Sequence, residues 1–132
     1  MDISFLTIPD APPPPPTAAY SHAVRVGDFL FVTGQLGVDP ATNALVPGGT
    51  EAQARQIMQN LEVVLRGAGA GFDRAVMARI YLVDFAADYP IVNKVYASYF
   101  NEASYPARTT VGVTHLALGA AVEIDLIAAA RK

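Results

Sequence analysis

The alternation of apolar and polar side chains predicts a hairpin near the start of the chain. Polar and apolar residues alternate over 21–26, and residues 29–32 form a continuous apolar run that is typical of a buried central strand. Gly27-Asp28 stands between them and predicts a two-residue turn. Residues 33–35 are predicted to end the second strand, where Gly34 indicates a bulge or the close approach of a ligand or another backbone.

A helical period follows the turn-rich loop predicted over 37–49. Thr50 with Gln53 three residues later is a capping-box pattern, and the glycines Gly67 and Gly69 are predicted to end this helix. One face of the predicted helix is apolar and consists of Ala54, Ile57, Leu61, Val64, Leu65 and Ala68. The opposite face is charged, which indicates a solvent-facing surface.

The next elements are a strand over 74–83 and a second helix. We predict that Asp88 caps this helix and that Pro90 lies in its first turn. Its apolar stripe consists of Val92, Val95, Tyr96, Tyr99 and Phe100, and we interpret it as core rather than as an aromatic cofactor site.

Two further strands are predicted over 108–115 and 121–129. In the last one, Glu123 and Asp125 alternate with apolar residues, so the two carboxylates share a face. The element order is then ββαβαββ, and the simplest fold is α+β, a two-layer sandwich of one mixed sheet with both helices on one face. The other face, which includes part of 29–32, is predicted to meet another subunit.

The N-terminal segment is predicted to be irregular up to residue 19. Pro9 and the five consecutive prolines of 12–16 favour an extended polyproline conformation that cannot join the interior of a sheet. We interpret residues 1–17 as a proline-rich surface arm and residues 18–132 as a single domain. A role as a docking ligand is disfavoured, because no basic residues flank the prolines.

Composition narrows the classes of function. The chain is 52% apolar and only 16% charged, which favours an oligomer that hides part of its surface. Nine basic against twelve acidic residues, without a basic run, disfavour nucleic acid as a partner. The sequence has no cysteine, no secretory signal pattern and no apolar run of the ~20 residues that span a bilayer, so we expect a cytoplasmic protein without a membrane partner.

Arg108 is the only charged residue between Glu102 and Glu123, and it lies on a predicted strand among small and apolar residues. A guanidinium is costly to bury unless an acidic group meets it. One interpretation is an internal ion pair with Glu123 or Asp125. The other is a bidentate contact with the carboxylate of a ligand.

Other sources of chemistry are weak in this sequence. His22 and His115 are the only histidines, and neither has acidic neighbours at metal-ligand spacing or a nucleophile-activating motif. The glycines after the first helix are in the wrong context for a phosphate loop. The candidate polar neighbours of Arg108, Glu123 and Asp125 are Tyr20, Thr33, Gly34, Gln35, Asn93 and Thr110.

Several segments together resemble the reactive intermediate deaminase A (RidA) family, also called the YjgF family, over about residues 18–131. The matching segments are Tyr20-Ser21-His22-Ala23-Val24, residues 31–35, 51–56 and 92–96, Tyr105-Pro106-Ala107-Arg108-Thr109-Thr110-Val111 and Val122-Glu123-Ile124. The last two are the most specific, with fifteen residues from Arg108 to Glu123.

The resemblance implies a chorismate-mutase-like fold in a homotrimer, with the sheets as an inner barrel and a cleft at each subunit interface. It implies hydrolysis of 2-imino acids and their enamine tautomers to 2-keto acids and ammonium, with no metal or organic cofactor. Arg108 would hold the substrate carboxylate, and Glu123 would activate water or carry the proton to the leaving nitrogen. The pocket would be lined by Tyr20, Thr33, Gly34, Asn93 and Thr110.

Three departures from the family pattern bear on the substrate. Around Tyr20, Ala18-Ala19 replaces a usual Gly-Pro and His22 replaces a usual Gln; Thr110 stands where a cysteine is common in some members; and the five-proline arm is longer than the usual lead-in. Two alternatives to a short-chain imine deaminase remain: a deaminase of a larger enamine, aminomuconate-like or aminoacrylate-like, and a non-catalytic module that binds keto acids. The ribonuclease and translation-inhibitor labels of some relatives are disfavoured by the acidic balance.

Overall fold

The computed structural model describes residues 1–131. Its strands are β1 (Ile3–Leu6), β2 (Ala23–Val26), β3 (Phe29–Gln35), β4 (Ala75–Leu82), β5 (Ala107–Gly112) and β6 (Val122–Ala129), and its helices are α1 (Gly49–Gly67) and α2 (Phe85–Ala97). One sheet holds the strands in the order β1-β2-β3-β6-β4-β5, with β4 and β5 parallel and all other neighbours antiparallel. The predicted two-layer α+β fold is confirmed.

The core lies between the sheet and the two helices. On β6, Val122, Ile124 and Leu126 are buried, whereas Glu123 and Asp125 alternate with them on the other face, as predicted. The apolar face predicted for α1 is buried over its whole length. Burying one such side chain stabilises the fold by about 1.5–3 kcal/mol, so the alternation decides which way each strand faces.

The prediction of an irregular N-terminus is wrong for Ile3–Leu6. This segment forms the edge strand β1 and pairs with β2 in antiparallel register, from Ile3 opposite Val26 to Leu6 opposite Ala23. Its partner lies about twenty residues away along the chain, and only Leu6 faces the core. Neither local β-strand propensity nor a stripe of buried residues predicts such a strand from the sequence. With β1 included, the sheet has six strands rather than the predicted five.

The capping box predicted for α1 is wrong. The N-cap is Gly48, without a side-chain hydrogen bond. Gln53 instead accepts a hydrogen bond from the Ala121 amide at 2.9 Å and so ties the helix to the loop before β6. The side chain that the local pattern assigned to the helix cap makes a tertiary contact instead.

The start predicted for α2 is also wrong. Asp84, not Asp88, is the N-cap, and its carboxylate accepts from the Ala87 amide at 3.4 Å. Pro90 therefore lies inside the helix rather than in its first turn.

The hairpin prediction is confirmed, with Val26 opposite Phe29 and Gly27 at a φ of 58°. The second strand ends within residues 33–35 as predicted, with Gln35 as the last residue of β3. A register shift between Val32 and Gln35 confirms the bulge predicted at Gly34. The strand predicted over 108–115 is shorter in the structure and ends at Gly112.

The face of the sheet opposite the helices carries large exposed apolar side chains on β1 and β3. They are Ile3, Phe5, Phe29 and Phe31, each between 46% and 72% exposed. Their register partners on β2 bring them together as one patch, which we call the open apolar face. Within residues 1–131, neither helix has the length and apolarity needed to cross a membrane.

Candidate functional site

Arg108 lies near the start of β5 on the helix-covered side of the sheet, because its register partner is the buried Ala78. Its Nη1 donates to Asn93 Oδ1 at 2.8 Å, and its Nη2 donates to the Tyr89 hydroxyl at 2.7 Å. The guanidinium carbon also lies 5.1 Å from the ring centroid of Tyr96. α2 thus supplies three contacts from one helix face, spaced i, i+4 and i+7.

Arg108 has no carboxylate partner among the ion pairs of residues 1–131. Asp125 binds Arg79 Nε at 2.8 Å and the Tyr81 hydroxyl at 3.0 Å instead. The ion-pair interpretation of Arg108 is therefore wrong. Two of the five guanidinium N–H groups contact neutral acceptors, which leaves the positive charge available to an anion.

The cavity beside Arg108 has a volume of about 260 Å³, and we call it the arginine pocket. Its lining residues are Asn93, Tyr96, Ala97, Tyr105, Pro106 and Arg108. Burial raises the pKa of Tyr96 to about 12, against the opposing charge of Arg108, so this phenol remains a proton donor at neutral pH. Within the described chain its hydroxyl has no hydrogen-bond partner, and neither has the buried Thr110 Oγ1, two residues beyond Arg108 on the same strand face.

Glu123 lies on the opposite side of the sheet, in register with Tyr81. Gly34 makes room for it, since a Cβ there would lie only 3.0 Å from Glu123 Cδ. Burial and then the charge of Asp125 raise the pKa of Glu123. The pKa of the Tyr20 phenol is raised in turn, by its burial and then by Glu123.

A cavity of about 520 Å³ surrounds Glu123, and we call it the glutamate pocket. Its polar lining consists of Tyr20, Thr33, Gln35, Asn43 and Glu123. The rest of the lining is Pro12, Pro13, Pro15, Ala18, Gly34, Leu36, Val38, Ala117 and Leu118. Among residues 1–131, no cluster of three or more His, Asp or Glu side chains is arranged to bind a metal ion.

The predicted site residues thus form two groups in one chain. Tyr20, Thr33, Gly34 and Glu123 line the glutamate pocket, whereas Asn93 and Arg108 line the arginine pocket, with Thr110 next along the strand. Sequence reasoning missed Tyr89 as a partner of Arg108 and interpreted Tyr96 only as core. The helical spacing could have identified both residues, because Tyr89 and Tyr96 each lie about one helical turn from Asn93 along α2.

Comparisons with known proteins show which family the chain belongs to. The family profile described as "Endoribonuclease L-PSP" matches residues 11–130. The 2-iminobutanoate/2-iminopropanoate deaminase of Bos taurus is 41% identical over 121 residues, which is 92% of this chain and 87% of that protein. The crystal structure of RidA from the Antarctic bacterium Psychrobacter sp. has a TM-score of 0.86 at 35% identity and covers 95% of this chain and 97% of that one. This chain belongs to the RidA family.

Further relatives are similar over most of their length. The RutC family protein of Pyrococcus horikoshii is 39% identical over 115 residues, which is 87% of this chain and 90% of that protein. The Rid-family protein YyfA of Yersinia pestis has a TM-score of 0.90 at 35% identity, over 97% of this chain and 99% of that one. The resemblance stated from the sequence motifs is confirmed.

Proposed function

We propose that this RidA family member hydrolyses 2-imino acids and their enamine tautomers to 2-keto acids and ammonium. The observation that carries the proposal is Arg108, a partly buried cation that contacts neutral side chains. Such a site fits a ligand that brings its own carboxylate, which a guanidinium binds in bidentate geometry. The name of the bovine relative supports the same substrate class.

The proposed reaction needs an anchor and one proton acceptor. Arg108 binds the substrate carboxylate and so fixes the position of the adjacent imine carbon. In the protonated imine, the oxygen of a water molecule bonds to that carbon while Glu123 takes a proton from this water and the C=N π electrons move to nitrogen. The Glu123 carboxyl group then protonates the amine nitrogen. As the C–N bond breaks, the O–H electrons form the C=O bond of the keto acid, and the hydroxyl proton passes through Glu123 to the departing ammonia, which leaves as ammonium. The raised pKa makes Glu123 a stronger base than an ordinary glutamate.

We infer that two copies of the chain form each complete site. Arg108 and Glu123 belong to opposite faces of the sheet, so the arginine pocket of one subunit has to complete the glutamate pocket of another. The open apolar face supports an oligomer that covers it, and we propose the homotrimer expected from the family. A sedimentation mass equal to that of one chain would contradict this assembly.

The test is the rate of keto-acid formation when an amino-acid oxidase generates a 2-imino acid in the presence of the protein. Wild type should accelerate this step, and Arg108→Ala should lose about two orders of magnitude, since orientation of the substrate is lost. Arg108→Lys should recover only part, because an ammonium lacks the planar fork. Arg55→Ala is the matched control, because Arg55 is exposed and its ion pair with Glu51, at 3.6 Å, lies on the surface.

Full activity of Arg108→Ala would contradict the proposal. Binding of 2-keto acids without turnover would instead assign the non-catalytic module. Turnover restricted to a long unsaturated enamine would assign the larger-substrate deaminase.

A further inference from the structure

His22 is a buried histidine that the proposed reaction does not use. It is 3% exposed, and both ring nitrogens have partners in the N-terminal segment. Nδ1 accepts from the Ile8 amide at 2.7 Å, which leaves Nε2 to donate to the Pro12 carbonyl at 2.9 Å. The imidazole therefore joins the start of β2 to the segment that leads into the prolines.

This segment is fixed at further points. Ile8 is buried in the core and packs on α1, where a Cβ at Gly67 would lie 2.8 Å from Ile8 Cγ2. Backbone turns close it at both ends, from the Ala11 amide to the Ile8 carbonyl at 3.1 Å and from the Ala18 amide to the Pro15 carbonyl at 2.9 Å. The prolines of 12–16, which we call the proline arm, therefore have a defined position.

The proline arm forms one wall of the glutamate pocket. Pro12, Pro13 and Pro15 line it, whereas Pro14 and Pro16 do not. In one chain the glutamate pocket has a volume of about 520 Å³, and these prolines form its apolar wall on the side of the N-terminal segment.

Leu118 gives independent support for an apolar subsite. It lines the same pocket, is 63% exposed and has a φ of 61°, in the left-handed region that a leucine rarely adopts. An exposed leucine in a strained conformation has no stabilising role in the core. Such strain is concentrated at ligand-contacting positions.

We propose that His22 is a positioning residue that fixes the proline arm over the glutamate pocket, and that the arm and Leu118 form the subsite for an apolar substrate side chain. This inference deepens the proposed function and rests on it. The proline arm is already ordered before the substrate binds. Binding therefore buries the apolar side chain of the substrate without the entropic cost of ordering five prolines. His22, which departs from the family's usual glutamine, is then a determinant of side-chain preference.

The first experiment compares two substrates in the oxidase-coupled assay, the imino acids made from alanine and from norleucine. His22→Leu removes both hydrogen bonds and should lower the ratio of kcat/KM for the long over the short substrate by about tenfold, mainly through KM. His22→Gln can still donate and accept and should recover part of that ratio. His115→Leu is the matched control, because His115 is exposed and its ring is hydrogen-bonded to the neighbouring Thr114 rather than to the N-terminal segment.

A direct readout of the contact is hydrogen exchange at the Ile8 amide. This amide should be protected in wild type and should exchange at least tenfold faster in His22→Leu. Unchanged exchange would overturn the positioning role of His22.

Two further variants separate the subsite from general stability. Leu118→Gly relieves the left-handed strain, so the unfolding midpoint should stay equal or rise while the long-substrate KM rises. The double variant Pro13→Ala/Pro15→Ala should lower the selectivity ratio, whereas Pro14→Ala/Pro16→Ala keeps the lining prolines and both His22 hydrogen bonds and should not. If the ratio of kcat/KM for the long over the short substrate is unchanged in His22→Leu, Leu118→Gly and Pro13→Ala/Pro15→Ala, the inference is overturned.

Binding of pyruvate and 2-oxohexanoate, measured by calorimetry, distinguishes this inference from the proposed function. If 2-oxohexanoate binds more tightly than pyruvate in a way that depends on His22, but neither imine is turned over, the subsite is supported and the deaminase activity is contradicted. Turnover of the short and the long imine with equal preference would contradict the subsite alone. Binding of neither keto acid would contradict both proposals.

Discussion

Arg108 and Glu123 project from opposite faces of the same sheet. Arg108 on β5 is in register with Ala78 of β4, and Glu123 on β6 is in register with Tyr81 of β4. Since successive residues of a strand alternate between faces, two positions an odd number of residues apart face opposite ways. The two groups of the proposed reaction are therefore held apart within one chain.

This separation predicts that two inactive variants will restore activity when mixed. Arg108→Ala and Glu123→Gln should each be inactive. Subunits that are unfolded and refolded together should regain about one quarter of wild-type turnover, the fraction of interfaces that pair one intact half with the other at random. The measurement is the keto-acid assay on the mixture beside each variant refolded alone. A mixture no more active than its components would contradict a site shared between copies.

Glu123→Gln should also stabilise the protein near neutral pH. The folded state raises the pKa of this carboxyl above its ordinary value of 4.5, chiefly by burial, so ionised Glu123 destabilises the fold. This destabilisation is absent at pH values below the ordinary pKa and is fully present at pH values above the raised pKa. Urea unfolding at about pH 4 and about pH 8 should show the gain only at the higher pH, and the exposed Glu62→Gln should show none.

The same shift predicts the pH dependence of activity. A base must be ionised to accept a proton, so activity should rise with pH through the raised pKa of Glu123. The midpoint of the acid limb of kcat/KM should lie above 4.5. A midpoint below that value would exclude Glu123 as the base.

Gly34→Ala should disable the glutamate pocket. The added Cβ would lie 3.0 Å from Glu123 Cδ and closer still to its carboxylate oxygen, so the carboxylate has to move. Activity should fall by at least tenfold, since a displacement of about 1 Å in a catalytic group is costly. Gly112→Ala is the control, because its nearest neighbour, Phe85 Cβ, would lie at 3.7 Å, an ordinary contact. Equal activity of the two variants would contradict the close approach.

Tyr96→Phe should stabilise the fold by about 1 kcal/mol or more. The Tyr96 hydroxyl is buried without a partner, so its removal ends a desolvation cost while the ring keeps its place beneath Arg108. The measurement is the free energy of unfolding in urea. Tyr105→Phe, at a residue 51% exposed, should change little. Destabilisation by Tyr96→Phe would indicate that the hydroxyl is satisfied in the assembled protein.

Asn60→Ala should cost about 2–3 kcal/mol of stability. This buried amide donates to the Val38 carbonyl at 2.9 Å and to the Leu36 carbonyl at 3.2 Å, and both residues line the glutamate pocket. Its loss removes the donor to the Val38 carbonyl in the interior, whereas the Leu36 carbonyl still accepts from the Val38 amide at 2.8 Å. Gln59→Ala, on the exposed side of the same helix turn, should be nearly neutral in the same unfolding experiment.

Local patterns were sufficient for most of the fold. The buried stripe of α1, the alternation of β6 and the hairpin at Gly27 follow from periods and turn preferences that involve neighbouring residues only. The same local patterns marked Arg108 as a cation that needs an acidic partner, and Gly34 as a bulge or a place of close approach. Such features are encoded within a few residues, so the sequence alone determined them.

Tertiary structure decided what those residues contact. Gln53 bonds the Ala121 amide instead of capping its own helix, and Asp125 pairs with Arg79 rather than with Arg108. β1 exists because β2 offers it an edge, and His22 reaches back fourteen residues to Ile8. Each of these contacts joins residues far apart in the chain, and its energy depends on which groups the fold brings together. For the same physical reason, only the register of the sheet placed Arg108 and Glu123, the two groups of the proposed site, on opposite faces.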